Sequence, residues 1–170
     1  MFLNKIKLFL LISICLIFFF LTYNDVKSKE LMILSGIAKV IDGDTIKINS
    51  DKIRLFGIDA PEQKQLCNKT YLTILFFTFN KDYPCGKVSS EKLKNMVNNK
   101  LIMCKIHDKD IYNRFIAECF KDKTNLNAWM VRNGYAVAYR KYSKKFVSQE
   151  DIAKKNQSGL WEGSFLMPWD

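Results

Sequence analysis

Between residues 36 and 58, three short runs rich in β-branched residues, Gly36 to Ile41, Thr45 to Asn49 and Lys52 to Ile58, are separated only by Asp42-Gly43-Asp44 and by Ser50-Asp51. Connections this short suit tight turns and leave no room for a crossover, so the runs read as a three-stranded antiparallel meander. A second pair follows, Leu101 to Ile106 and Arg114 to Phe120, joined through a turn near Asp110 to Asn113. Helical spacing falls elsewhere. Ser90 to Asn99 carries Leu93, Met96 and Val97, with Glu91 placed to favour an N-terminus. Asn125 is the N-cap of a helix bearing Leu126, Trp129 and Met130 that stops at Asn133-Gly134, and Tyr135 to Tyr139 returns as a strand. Ser143 to Asn156 is a basic helix with Phe146 and Ile152 available for packing. Five strands followed by helices imply an α+β, mainly β, domain: a small five-stranded barrel with about three packed helices.

One run resists this scheme. Leu72 to Phe79 is apolar inside what should be an exposed loop. An extra strand, a membrane-facing patch and a helix packed on the barrel all remain open, because periodicity does not separate short apolar elements.

Lys5 and Lys7 precede an uncharged apolar run, Leu8 to Leu21, in the pattern of a signal peptide. Val26-Lys27-Ser28 offers a cleavage point after Ser28; left uncleaved, residues 1–28 would be a signal anchor attaching the chain to the membrane. Ile14 before Cys15 argues against a lipoprotein site. Of 170 residues this leaves a segment sized for one domain, 32–169. The 48% hydrophobic content supports a packed core and excludes a disordered chain. Lys and Arg exceed Asp and Glu by 27 to 17, which suits anionic partners, nucleic acid or acidic lipid, and equally suits a lysine-rich surface that only keeps the chain in solution.

Apart from Cys15, four cysteines remain in a chain that reads as exported to the periplasm or outside the cell: Cys67, Cys85, Cys104 and Cys119. Two disulfides are expected. A hairpin centred on Asp110 to Asn113 sets Cys104 opposite Cys119, within bridging distance, and Cys67 with Cys85 would then close the intervening loop.

Three segments concentrate polar residues suited to phosphodiester chemistry: Asp42-Gly43-Asp44-Thr45, Arg54 through Asp59-Ala60-Pro61-Glu62, and Asp110-Ile111-Tyr112-Asn113-Arg114. Singly, each has a plain structural reading as turn, strand or strand exit. Together and in this order they resemble the staphylococcal nuclease (thermonuclease) family, whose members show Asp-Gly-Asp-Thr, an Arg eight residues before the Glu of a Pro-Glu, and a later Asp-x-Tyr-Gly-Arg. Leu126 to Gly134, Ala136 to Tyr139 and Gly159-Leu160-Trp161 look similar to the family's C-terminal signatures, and Pro84-Cys85-Gly86 resembles an exported, disulfide-containing branch.

The resemblance implies an OB-fold barrel and a calcium-dependent endonuclease with little sequence specificity, hydrolysing DNA and/or RNA with no obligate protein partner. It further implies that Asp44, Asp59 and the Ala60 carbonyl hold Ca2+, that Arg54 and Arg114 grip the scissile phosphate, and that Glu62 activates or orients the attacking water. Oxygen ligands suit that ion, and a dication with two guanidinium forks suits the charge gathered on phosphate oxygens. Tyr112, beside the clamp, and Tyr135 are candidates for nucleotide contact, against a default of core packing. Asn113 replaces the family's glycine, and a left-handed backbone there costs of order 1 kcal/mol. His107, the single histidine, reads as a solvated strand-end residue. The competing reading is a non-catalytic OB-fold nucleic-acid-binding module, membrane-anchored if the N-terminus stays uncleaved.

Overall fold

The meander forms β1 (Ile33–Val40), β2 (Thr45–Ile48) and β3 (Asp51–Leu55) in a computed structural model that describes residues 12–15 and 32–170. Ala38 pairs with Ile48, and Ile46 with Ile53. Gly57, at φ 71°, then turns the chain into the short β4 (Ile58–Asp59). Next come β5 (Cys67–Ile74) and β6 (Phe77–Tyr83), helix α1 (Cys85–Val97), and the hairpin β7 (Leu101–Lys109) with β8 (Phe115–Lys121). The remainder is β9 (Thr124–Asn125), α2 (Leu126–Arg132), β10 (Val137–Ala138), α3 (Val147–Lys155), a 3-10 turn at Gly159–Glu162 and β11 (Gly163–Ser164).

Closure comes from a contact distant in sequence. The sheet runs β3-β2-β1-β7-β8, and β3 pairs in parallel with β8, Ile53 with Phe115 and Leu55 with Ala117, so the five strands form a closed mixed barrel. Closure removes the sheet edges, and inward positions fill with side chains. Ile46, Ile48, Ile53, Leu55 and Ile102 are buried there with Leu93 of α1 and with Leu126 and Met130 of α2. A second, smaller core gathers Cys67, Cys85, Val137 and Leu160. Leu31–Asp170 is a compact unit of its own and holds both cores and both disulfides.

Cys104 lies directly opposite Cys119 in the β7–β8 register and is bonded to it, and Cys67 is bonded to Cys85. Asn125 caps α2, its Oδ1 accepting the Ala128 N–H at 2.9 Å. Helix α1 begins five residues before the expected Ser90. Its start is set by Pro84 and the Cys67 bond, and no side chain caps it. The run Leu72 to Phe79 resolves into a hairpin, β5 with β6, whose distal half stands exposed. His107 is not merely solvated: its Nε2 lies 3.0 Å from Glu118 Oε1, and its ring lies against Phe56. Apart from 12–15, the N-terminal segment 1–28 lies outside the described residues, among which no helix is long and apolar enough to cross a membrane.

Candidate active site

Asp44 sits at the entrance to β2, in a turn organised by Asp42, whose Oδ1 accepts the Asp44 N–H at 3.1 Å. Gly43 between them is required by space: a Cβ there would lie 2.1 Å from Ser89 Oγ and 2.7 Å from the Ala60 Cβ. The β2–β3 register places Arg54 across from Thr45, one residue from Asp44. Arg54 donates from one terminal nitrogen to Asp44 Oδ1 at 3.0 Å and from the other to Asp59 Oδ1. Asp59 is fixed by the pairing of β4 with β10, Val137 opposite Asp59. The Ala60 N–H donates to Asp44 Oδ2 at 3.1 Å, and the Thr45 hydroxyl to Asp44 Oδ1 at 2.9 Å. Both carboxylates are buried, whereas Arg54 keeps a quarter of its side chain in contact with solvent.

Burial pushes the Asp44 carboxyl above its ordinary range; the Arg54 charge opposes this, and the Asp59 charge adds to it. Asp42 is raised by burial and by the Asp44 charge. Arg54 pays a desolvation cost but is held firmly charged by Asp44 and Asp59. Three carboxylates against one guanidinium leave a local negative surplus.

That surplus tests the fit of a divalent cation. The side-chain donors gathered here, Asp44 and Asp59 with Asp42 beside them, are carboxylate oxygens, the hard donor type that calcium prefers. Among the described residues no group of three or more His, Cys, Asp or Glu is arranged to hold a metal ion, and both Asp44 oxygens and Asp59 Oδ1 are engaged by Arg54, Thr45 and the Ala60 N–H. In donor chemistry the paired carboxylates suit a hard dication.

Glu62 lies just past the buried Pro61 and is exposed. Its backbone is held by Gln65, whose N–H donates to the Glu62 carbonyl at 2.8 Å and whose Oε1 accepts the Glu62 N–H at 3.2 Å. Beneath it runs Gly86, where a Cβ would fall 1.7 Å from the Glu62 carbonyl oxygen.

Arg114 belongs to the β7–β8 turn. Asp110 Oδ1 accepts the N–H groups of Tyr112 and Arg114, both at 2.9 Å, while Oδ2 accepts Arg114 Nε at 2.7 Å. These bonds outweigh burial and hold the Asp110 carboxyl below its ordinary range. Arg114 immediately precedes β8, whose Phe115 and Ile116 pair with Ile53 and Arg54, so the turn bearing Arg114 leads directly into the strand beside Arg54. The Tyr112 ring lies 5.6 Å from the Arg114 guanidinium.

Tyr135 is placed differently. It packs on Trp129 and under Lys92, and its carbonyl accepts Ser89 Oγ at 2.6 Å, so Ser89 stands between it and the Asp42–Asp44 turn. The sequence reading gave no role to Asp42, Thr45 or Asp110. The signal for all three was the short polar side chain at a turn, able to bond the backbone two residues on or to bond a neighbouring side chain.

Residues 52–163 match the family described as staphylococcal nuclease homologue. An uncharacterized endonuclease of Escherichia coli O157:H7 is 30% identical over 141 residues, spanning 78% of this chain and 80% of its own. A succinoglycan biosynthesis protein of Rhizobium meliloti, ExoI, is 34% identical over 129 residues; the match covers 74% of this chain but 63% of that one. A probable staphylococcal-like nuclease of rice, CAN3, is 27% identical over 130 residues, 75% of this chain and 30% of its own. The family match and the endonuclease-named relatives, on a closed OB-fold barrel, define a nuclease-type hydrolase. The chain belongs to the staphylococcal nuclease family.

Proposed function

We propose that this chain is an exported, calcium-dependent endonuclease that hydrolyses phosphodiester bonds in DNA and/or RNA with little sequence specificity, its nuclease domain being 32–169. The observation that carries this reading is Arg54 bridging Asp44 and Asp59 on a strand paired with β8, which Arg114 directly precedes, with Glu62 three residues beyond Asp59. Asp44, Asp59 and the Ala60 carbonyl would hold Ca2+, which would supply positive charge to the phosphate oxygens. Arg54 and Arg114 bind the same phosphate from two strands, and their planar forks suit its paired oxygens. Glu62, exposed at the strand exit, accepts a hydrogen bond from a water and aligns it with phosphorus opposite the leaving oxygen. Tyr112 borders the clamp and contacts a nucleotide; Tyr135, farther along, is the weaker candidate. With contacts directed at phosphate, sequence selectivity is low. The disulfides and the N-terminal apolar run support export.

The test is digestion of circular single-stranded DNA and of RNA, with calcium or with chelator. Glu62→Gln and Arg114→Ala are compared with the parent. Calcium-dependent internal cutting that both variants lose is the expected result. Binding without cutting in the folded, oxidised parent overturns the reading in favour of a non-catalytic OB-fold module.

A further inference from the structure

The barrel and the site leave one conspicuous feature unused, the distal half of the β5–β6 hairpin. From Thr70 to Asn80 the chain carries no charge. The register pairs Leu72 with Phe79, Thr73 with Thr78 and Ile74 with Phe77, so Leu72, Ile74, Phe77 and Phe79 share one face of a two-stranded ribbon and the threonines share the other. Leu75 and Phe76 cap the end, 84% and 96% exposed. Leu75 sits at φ 55°, a turn position that glycine or asparagine would hold at less cost. The sequence thus places large apolar side chains where turn chemistry asks for small polar ones, and nothing in the described chain covers them.

Behind this tip, Lys69 and Lys81 stand directly opposite each other. Like charges in that relationship repel unless an anion lies between them. Lys69 is 3.8 Å from Glu162, whose side chain is half exposed, and Lys81 leans over the Tyr71 ring; Asp82 is held by Asn68. From the Leu72–Phe79 pair to the turn is three residues, about 10 Å of ribbon. That matches the roughly 5 to 10 Å to which interfacial apolar groups enter the boundary between headgroups and acyl chains. Phe76, Phe77 and Phe79 could face a base or a lipid alike, but aliphatic Leu72, Ile74 and Leu75 between them offer no flat ring for a nucleobase, whereas hydrocarbon accepts the whole uncharged tip.

We propose that this hairpin is a membrane-docking device: its apolar tip enters an anionic bilayer surface while Lys69 and Lys81 meet lipid phosphates at headgroup level. A hydrophobic wedge backed by cations is the combination such surfaces bind. The chain's net charge of +10 acts in the same direction.

The experiment places a reporter at the tip, Phe76→Trp, in the full chain and in the Leu31–Asp170 unit. Emission is read against the parent with vesicles of phosphatidylcholine alone or mixed with phosphatidylglycerol. The expected result is a blue shift and quenching by acyl-brominated lipid on the anionic vesicles, with binding about tenfold weaker on neutral ones. Leu75→Asp with Phe76→Asp should weaken vesicle binding of the Leu31–Asp170 unit about tenfold or more and leave cleavage of a short oligonucleotide unchanged. A reporter that stays in a water-like environment on anionic vesicles overturns the proposal. So does a raised KM for nucleic acid in the double variant with vesicle binding intact, which would assign the tip to the substrate strand.

Discussion

Asp110 holds Arg114 twice over, accepting its backbone N–H at 2.9 Å and its Nε at 2.7 Å. The first bond closes the turn and the second aims the guanidinium, leaving the terminal nitrogens for an anion. Asp110→Asn keeps the size but loses the charged acceptor. A hydrogen bond to a charged group is worth about 1.5 to 3 kcal/mol, so kcat should fall about 10- to 100-fold with the fold retained. In an Arg114→Ala background the same change should cost little more. Full additivity in that double-mutant cycle would mean that Asp110 acts on something other than Arg114.

Asn113 occupies the left-handed region at φ 66°, as its glycine counterpart in the family pattern suggests. Asn tolerates this conformation and a β-branched residue does not. Asn113→Gly should leave urea stability within about 1 kcal/mol of the parent and activity intact. Asn113→Val should lose about 1 to 3 kcal/mol and lower kcat by moving Arg114. An unchanged kcat in the valine variant would separate the turn from the clamp.

What the sequence revealed is what local chemistry decides. The Asp-Gly-Asp turn, the opposition of Cys104 and Cys119 and the Asn125 cap each follow from a few neighbouring residues, whereas the left-handed Asn113 follows from the glycine that the family pattern has in its place. The parallel β3–β8 pair is a contact between distant segments, and no pattern at Ile53 or Phe115 announces it. Helix α1 starts at Cys85 because a covalent bond and Pro84 act there, so the Ser90-Glu91 signal pointed five residues too late. Leu72 to Phe79 was ambiguous because a strand is read by which face is buried, and here neither face is. At the site, the resemblance led to Arg54, Asp44 and Asp59, but that Arg54 ties both carboxylates together needed the fold.

Glu150 shows how a basic helix can hide a buried acid. Fully buried on α3, it accepts the Ala138 N–H at 3.0 Å and pairs with Arg140 at 2.5 Å and Lys154 at 2.9 Å. Burial alone would raise its carboxyl, but these bonds bring it below the ordinary value of 4.5. A depressed folded value means that the stabilisation is complete above the unfolded pKa and is lost as pH falls from about 4.5 through the folded one. Glu150→Gln should therefore destabilise by about 1 to 3 kcal/mol at neutral pH, and the gap to the parent should narrow on acidification. Urea midpoints at pH 7 and at pH 3.5 check this, and a gap that stays constant would remove Glu150 from the acid sensitivity.

The two disulfides should differ in what they protect. Cys104–Cys119 joins strands already paired in the barrel, whereas Cys67–Cys85 closes the base of the exposed hairpin and fixes the start of α1. Gly86, next to that second bond, supports the Glu62 carbonyl, and Gln65 links the two by accepting the Gly86 N–H at 3.4 Å and donating to Glu62 at 2.8 Å. Cys67→Ser with Cys85→Ser should loosen that support as well as free an 18-residue separation, at about 3 kcal/mol of stability. Misplacing a catalytic group by a fraction of an ångström is enough for about a tenfold loss in kcat. Cys104→Ser with Cys119→Ser should lower the melting temperature yet keep kcat within about twofold at temperatures where the barrel stays folded, because the Asp110 bonds at the far end of the hairpin still hold Arg114. The comparison is made well below both melting points, with near-ultraviolet circular dichroism confirming the core. Equal losses of kcat in the two variants would show that Glu62 is not positioned through the Cys67–Cys85 bond.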